Sequence, residues 1–336
     1  MKKRAGFLPS NILHFLALLI ICILVTSCVK DDQAEPTPEE GMDVCDAHFV
    51  SKTFEAVPGK IVFCDLQSLS VLERGQFREI VPWDRENYIW TPRWSPNGKY
   101  IAYVSKFNIS IVHPDGSLFK SLVSDGTVSS RCRFPIWGKE GGRIAYCRED
   151  ENGFSIRIIT IDHLEDTIVT YMQGSPKAFD WSPDGTKFLV SIMDGYLDEV
   201  RRTIMIDFQD SILHEMEIIA ENLHWSPDGS QILMTAWQPT GDSTVSPFGT
   251  WEGQIRILDN NFNGDIIATQ SGERAAAWSP DGSQIVLVKE IGASVGDFFS
   301  GYSSFQCYYL ATMDLIGNEL EKISDARYAM ALDWID

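Results

Sequence analysis

From about Gly59 onward, apolar residues fall in short β-rich runs separated by clusters of turn-forming residues. Lys60-Ile61-Val62-Phe63-Cys64, Leu69-Ser70-Val71-Leu72 and Phe77-Arg78-Glu79-Ile80-Val81 predict three strands. Further along, one order recurs. A short strand ends in Trp, a turn follows, and then comes an apolar run such as Ile101-Ala102-Tyr103-Val104. A third strand follows, as at Ile156-Arg157-Ile158-Ile159-Thr160, and a fourth, as at Thr167-Ile168-Val169-Thr170-Tyr171. Four antiparallel strands per repeat make one blade of a propeller.

The turn after the Trp is a repeated phrase. It reads WSPDG from Trp181, from Trp225 and from Trp278, WSPNG from Trp94, and a degraded WGKEG from Trp137. A last copy, Asp333-Trp334, stands near the end of the chain. These tryptophans lie 43, 44, 44, 53 and 56 residues apart, close to the period of about 40–45 residues expected of a blade. Ser opens the turn through its hydroxyl, Pro presets φ, Asp tolerates the bridge region and Gly accepts φ > 0. Trp94, Trp137, Trp181, Trp225, Trp278 and Trp334 are read as scaffold that packs between blades, because a copy in every repeat is what core packing requires.

The two ends complete each other. Ala331-Leu332-Asp333-Trp334-Ile335-Asp336 is a first strand with nothing after it, whereas the strands at 60–81 lack a first strand. Pairing them closes a six-bladed, all-β ring over residues 58–336 and removes the exposed sheet edges of an open array. In phrase, spacing and closure this stretch resembles the TolB-type, WD-repeat-like propellers. TolB itself carries an α/β domain ahead of the ring. Here only about 30 residues separate Cys28 from the first strand, so the resemblance implies a form lacking that domain.

Upstream of the ring, Lys2, Lys3 and Arg4 precede an apolar run from Phe15 to Val25. That run is too short for a spanning helix, which needs about 20 residues, and fits the core of a signal peptide over residues 1–27. Val25-Thr26-Ser27-Cys28 resembles a bacterial lipobox, which implies lipidation at Cys28. Val29 after the cysteine implies an outer-membrane lipoprotein. Lys30-Asp31-Asp32 is either a surface-export tag or a solvated charge run, so the periplasmic and surface-exposed orientations both stand. Residues 28–57 are read as the lipidated cysteine and an acidic, proline-bearing tether.

Net charge is −19, which sets the protein against nucleic acid and against anionic lipid as bulk partners. The expected partner is an envelope protein or a glycan, with the membrane reached only through the anchor. No cofactor is expected.

The chemistry is sought where the repeat is interrupted. Two connections between second and third strands are enlarged, at about 236–253 with Trp237, Phe248 and Trp251, and at about 290–305 with Phe298, Phe299 and Tyr302. They belong to neighbouring blades and leave from the same face. Aromatic residues among Ser, Gly and Thr suit a sugar- or protein-binding surface, or a lid that packs on itself. The acidic stretch 194–199 borders the same surface.

Other patterns carry less. Gly292-Ala293-Ser294-Val295-Gly296 matches a nucleophile elbow, yet it lies in a propeller loop and no histidine follows His224. The run from Asp259 to Gly264 opens like a calcium loop but has Gln270 where the bidentate acid belongs, and turn conformation alone explains its composition.

The residues just before the six tryptophans are Arg93, Ile136, Asp180, His224, Ala277 and Asp333. Asp180 with His224, and Asp333 with Arg93, fall on neighbouring blades. They predict either two inter-blade polar pairs or a convergent catalytic or metal centre. Among the cysteines, Cys132 and Cys147 flank one hairpin, within bonding reach if their register agrees, and Cys64 or Cys307 is a candidate partner for Cys45. The leading function is a non-catalytic, lipid-anchored envelope binding module. The alternatives are a lyase or cyclotransferase working in the central funnel, and a TolB-like envelope-integrity or transport accessory.

Overall fold

The computed structural model describes residues 58–65, 68–82, 89–151, 153–194, 200–208, 211–239, 251–270, 275–291, 307–324 and 329–336. Its strands come in sets. β1 (Lys60–Asp65), β2 (Ser68–Glu73) and β3 (Gln76–Val81) open the ring. β4 (Ile89–Trp94), β5 (Ile101–Ser105), β6 (Asn108–Val112) and β7 (Lys120–Val123) form blade 2. β8 (Arg131–Trp137), β9 (Arg143–Asp150), β10 (Gly153–Thr160) and β11 (Asp166–Met172) form blade 3. Blade 4 is β12 (Ser175–Trp181), β13 (Lys187–Asp194), β14 (Val200–Asp207) and β15 (Ile212–Met216). Blade 5 is β16 (Ala220–Trp225), β17 (Gln231–Pro239), β18 (Trp251–Asp259) and β19 (Gly264–Gln270). Blade 6 is β20 (Ala276–Trp278), β21 (Gln284–Ile291), β22 (Cys307–Asp314) and β23 (Glu319–Ser324).

The last strand, β24 (Ala329–Ile335), pairs antiparallel with β1, with Lys60 opposite Ile335 and Phe63 opposite Leu332. Blade 1 is therefore the sheet β24-β1-β2-β3, and the ring closes as the two chain ends require. The indole of Trp334 donates to the carbonyl of Pro58 at 2.9 Å, which pins the entry of the chain to its exit.

Each blade is buried on both faces, which is why its middle strands read as unbroken apolar runs. Ile101, Ala102, Tyr103 and Val104 are all at most 1% exposed. Alternate residues serve opposite neighbours. Phe63 packs with Val286 and Leu310 of blade 6, while Val62 and Cys64 pack with Ile89 and Tyr103 of blade 2. Six such clusters fill the six blade–blade interfaces.

The same alternation decides the cysteines. Cys132 faces Arg148 and Cys147 faces Arg133 across the β8–β9 pair, one step out of register. They consequently point to opposite faces of blade 3, Cys132 towards blade 2 and Cys147 towards blade 4. The expected bridge between them is corrected to two buried free thiols. Burial pushes the Cys132 thiol up to about 12. Cys64 is likewise a buried thiol in the blade 1–blade 2 core.

Within the SPDG turns the hydrogen bonds are internal. Ser182 Oγ donates to Asp184 Oδ1 at 2.6 Å and accepts the Lys187 N–H at 2.9 Å, while Asp184 Oδ1 accepts the N–H of Thr186. The turns from Ser226 and Ser279 repeat this pattern. The degraded copy has a steric cause. A Cβ at Gly138 would press on the Trp181 ring, and main-chain bonds from Gly138 and Gly141 hold that turn.

Candidate functional site in the central channel

The first strand of each blade lines the axis. Period-two alternation turns the residue before each Trp, and the residue two before that, towards the channel. Arg93, Ile136, Asp180, His224 and Asp333 accordingly border a cavity of about 490 Å³ on the SPDG face. Deeper in, Thr91, Phe134, Ala178 and Asn222 border a second cavity of about 80 Å³. Arg93 lines both, so its side chain separates them.

The floor of the larger cavity is a connected set. Arg93 Nη2 lies 3.2 Å from His224 Nε2, and Arg93 Nη1 donates to the Leu332 carbonyl at 3.3 Å. A guanidinium has only donors, so His224 Nε2 must be the acceptor and Nδ1 carries the proton. Burial, reinforced by the Arg93 charge, holds the His224 pKa well below its usual value. The two aspartates bind main chain. Asp180 Oδ2 accepts the Trp225 N–H at 2.6 Å, and Asp333 Oδ2 accepts the Trp94 N–H at 2.7 Å. Each also accepts the N–H of the tryptophan that follows it. Burial pushes the Asp180 carboxyl up to about 7 against the lowering pull of Arg93, and burial likewise raises Asp333.

The expected neighbour pairs are thus corrected. Arg93 of blade 2 makes its side-chain bond to His224 of blade 5, directly across the ring, and each acid holds the tryptophan amide of the next blade. The reason is reach. An aspartate is long enough to span one blade interface, whereas an arginine reaches past the axis.

Around the ring the six positions repeat after three: acid, nitrogen base, apolar. Asp333, Arg93 and Ile136 form one half, and Asp180, His224 and Ala277 the other. The hydrogen bonds follow the same two-fold. Trp137 Nε1 donates to the Arg93 carbonyl at 3.0 Å, and Trp278 Nε1 donates to the His224 carbonyl at 3.1 Å. This symmetry was readable in the sequence but is masked there by the unequal lengths of the repeats.

A second feature escaped sequence reasoning. Thr91 and Phe134 have φ of 49° and 54°, in first strands whose register shifts between Trp90 and Arg93 and between Arg133 and Ile136. Left-handed φ at a β-branched residue is rare and strained. Thr91 and Phe134 nonetheless border the smaller cavity at the same place in their blades as Ala178 and Asn222. The signal was the proline after each, Pro92 and Pro135, in what otherwise reads as a ladder strand.

The scaffold tryptophans are between 5% and 7% exposed, and Trp94, Trp137, Trp181 and Trp225 also edge the larger cavity. Trp237 and Trp251 lie in strands rather than in a loop. β17 and β18 stay paired up to Trp237 with Gly253 and Pro239 with Trp251, so ladder pairing extends beyond the expected loop boundary of 236–253. Phe248, Phe298, Phe299, Tyr302 and Cys28 lie outside the described residues, as do Gly292 to Gly296, residues 195–199 and Cys45.

The calcium-like run from Asp259 is a turn between β18 and β19. Asp259 Oδ1 accepts the N–H groups of Asn261 and Asn263, and Asp314 makes the same bonds with Ile316 and Asn318 in blade 6. Among the described residues no three His, Cys, Asp or Glu side chains are grouped to hold a metal.

No family model and no curated protein matches the chain by sequence. Solved structures do resemble it in shape. TolB from Acinetobacter baumannii superposes with a TM-score of 0.62 at 16% identity, over 85% of this chain and 68% of that one. A TolB-assigned protein from Agrobacterium tumefaciens gives 0.56 at 18% identity, over 83% and 98%. A chain of a nidogen/laminin complex gives 0.59 at 10% identity, over 82% and 97%. The ring has the TolB-like fold. At these identities the likeness concerns the fold alone.

Proposed function

We propose that the protein is a lipid-anchored envelope propeller that binds a protein or glycan partner, held at the outer membrane through Cys28 and a flexible tether. One observation carries this reading. The connections from β17 to β18 (residues 240–250) and from β21 to β22 (residues 292–306) are the longest between second and third strands, and they leave neighbouring blades at the same end. The corresponding connection in blade 2, residues 106–107, has two residues. Long aromatic insertions on a rigid ring are the usual way a propeller acquires a partner. In an antiparallel meander these connections leave the end opposite the SPDG turns, so the binding face lies away from the larger cavity.

The test is a crosslinking pull-down from intact cells with Trp237, Trp251, Phe298 and Tyr302 changed together to Ala. Capture of the partner by the wild-type chain should disappear while near-ultraviolet circular dichroism stays native. Retained capture contradicts the assignment. Cys28→Ala should move the protein from the membrane to the soluble fraction.

The channel floor favours one alternative, a lyase or cyclotransferase, because four titratable groups converge there. Against it, His224 faces a guanidinium and each carboxylate already accepts two main-chain N–H groups.

A further inference from the structure

Once Asp180 and Asp333 are both ionised, the channel floor carries more negative charge than it neutralises. Asp180 and Asp333 sit half a ring apart, and the guanidinium of Arg93 acts on both. His224 beside it stays neutral. One cation thus serves two carboxylates in a place where an unbalanced charge is costly.

Above this floor opens the cavity of about 490 Å³, within the usual range for a small-ligand site. Its walls include edges of Trp94, Trp137, Trp181 and Trp225 together with Pro183 and Pro227. At the rim stand Asp184 and Asp228, whose turn hydrogen bonds keep their pKa low and hold them ionised, together with exposed Lys139. Four carboxylates therefore face two cations across the whole lining.

We propose that this vestibule binds an organic monocation, a primary ammonium or a guanidinium group, either free or borne on a lysine or arginine side chain. The group sits between the indole walls with its charge towards Asp180 and Asp333, and it supplies the positive charge that the floor lacks. Aromatic walls favour an organic cation that can give up part of its hydration. An inorganic cation needs several oxygen ligands, and here the buried carboxylates are already bonded to main-chain N–H groups. The overall charge of −19 also draws cations towards the protein.

Proton linkage sharpens the proposal. The charged groups facing Asp180 are Arg93 from β4 and Asp333 from β24, with Asp184 on its own turn; His224 from β16 is titratable but neutral, and Ile136 from β8 adds no charge. His224 remains neutral between pH 6 and 8 because its pKa is held well below the usual value. Titration in that window belongs to Asp180, at about 7, while burial also raises Asp333 above the usual carboxyl value. Ammonium affinity should thus rise with pH, by about tenfold from pH 6 to pH 8.

The experiment is isothermal titration of the purified protein with n-butylammonium chloride and with the blocked peptide Ac-Gly-Lys-Gly-NH2. Saturable binding at pH 8 that weakens about tenfold at pH 6 supports the site. Tighter binding of the peptide assigns the cation to a side chain, and tighter binding of the amine assigns it to a small molecule. Asp180→Asn should lose at least tenfold in affinity. Lys139→Glu, at an exposed position that cannot disturb the core, should bind several-fold more tightly. Equal binding of 1-butanol, equal binding of sodium, an affinity independent of pH, or no effect of Lys139→Glu each overturns the proposal. The site lies at the end of the ring opposite the long connections, so its failure leaves the partner-binding reading intact, and the reverse also holds.

Discussion

Blades 1–3 and blades 4–6 present the axis with the same order of chemistry, Asp333, Arg93, Ile136 in one half and Asp180, His224, Ala277 in the other. Both aspartates hold the main chain of the next blade, and both bases offer a carbonyl to the next but one tryptophan indole in the same way. The halves differ in one charge. Arg93 is a permanent cation, and its counterpart His224 is neutral and accepts a bond from it. Two arginines at these positions would meet head to head, 3.2 Å apart where the present pair makes its bond. The symmetry therefore has to break at the axis. Burial raises both acids, Asp180 to about 7, and the single guanidinium of Arg93 pulls both of them down.

The most severe way to break the comparison is to open one half. Deleting Ala331 to Asp336 removes Asp333, the buried side chains of Leu332 and Trp334, and the pairing with β1. Losing two such side chains from a core costs roughly 5 kcal/mol or more, and it exposes the edge of β1. Thermal denaturation should show a melting temperature lower by about 15 °C or more, or no cooperative transition; an unchanged value contradicts closure through blade 1. Blade 4, the counterpart of blade 1, has no such seam because its four strands are consecutive in the chain.

A smaller effect follows from removing the cation that distinguishes the halves. Arg93→Met leaves two buried carboxylates without their guanidinium. Urea denaturation at pH 8 should report a loss of about 3 kcal/mol, shrinking at pH 5 where Asp180 holds a proton.

The smallest expected effect separates the two acids. A carboxyl whose folded pKa is raised binds more protons in the folded state than in the unfolded one. It therefore costs stability as pH rises from about 4 through 7. Asp180→Asn removes that cost, so between pH 5 and pH 8 the variant should gain about 2 kcal/mol relative to the wild type. His224 acts with the opposite sign, its lowered pKa costing stability as pH falls below 6.5, and it is present in both proteins.

The ring was legible because its determinants are local. A tryptophan, a turn that bonds to itself and a period-two run mark each blade, and Trp334 announces the closure. The channel was only half legible. Its lining residues are those before each tryptophan, so their identity could be read in advance. Their pairing could not be, because Arg93 and His224 are 131 residues apart and meet only across the axis of a closed ring. The bulges at Thr91 and Phe134 were signalled by the prolines after them, but strand propensity hides such a signal. Cys132 and Cys147 show the remaining limit. One step of register separates a disulfide from two thiols on opposite faces, and no composition argument supplies that step.

The central claim is that one guanidinium serves two buried carboxylates at the channel floor. It is tested most directly by following the Asp180 side-chain carboxyl by carbon-13 nuclear magnetic resonance from pH 4 to pH 9. A midpoint near 7, moving higher in Arg93→Met, is the predicted result. A midpoint near 4 that ignores the arginine would mean that the floor charge is already balanced, and would contradict the account.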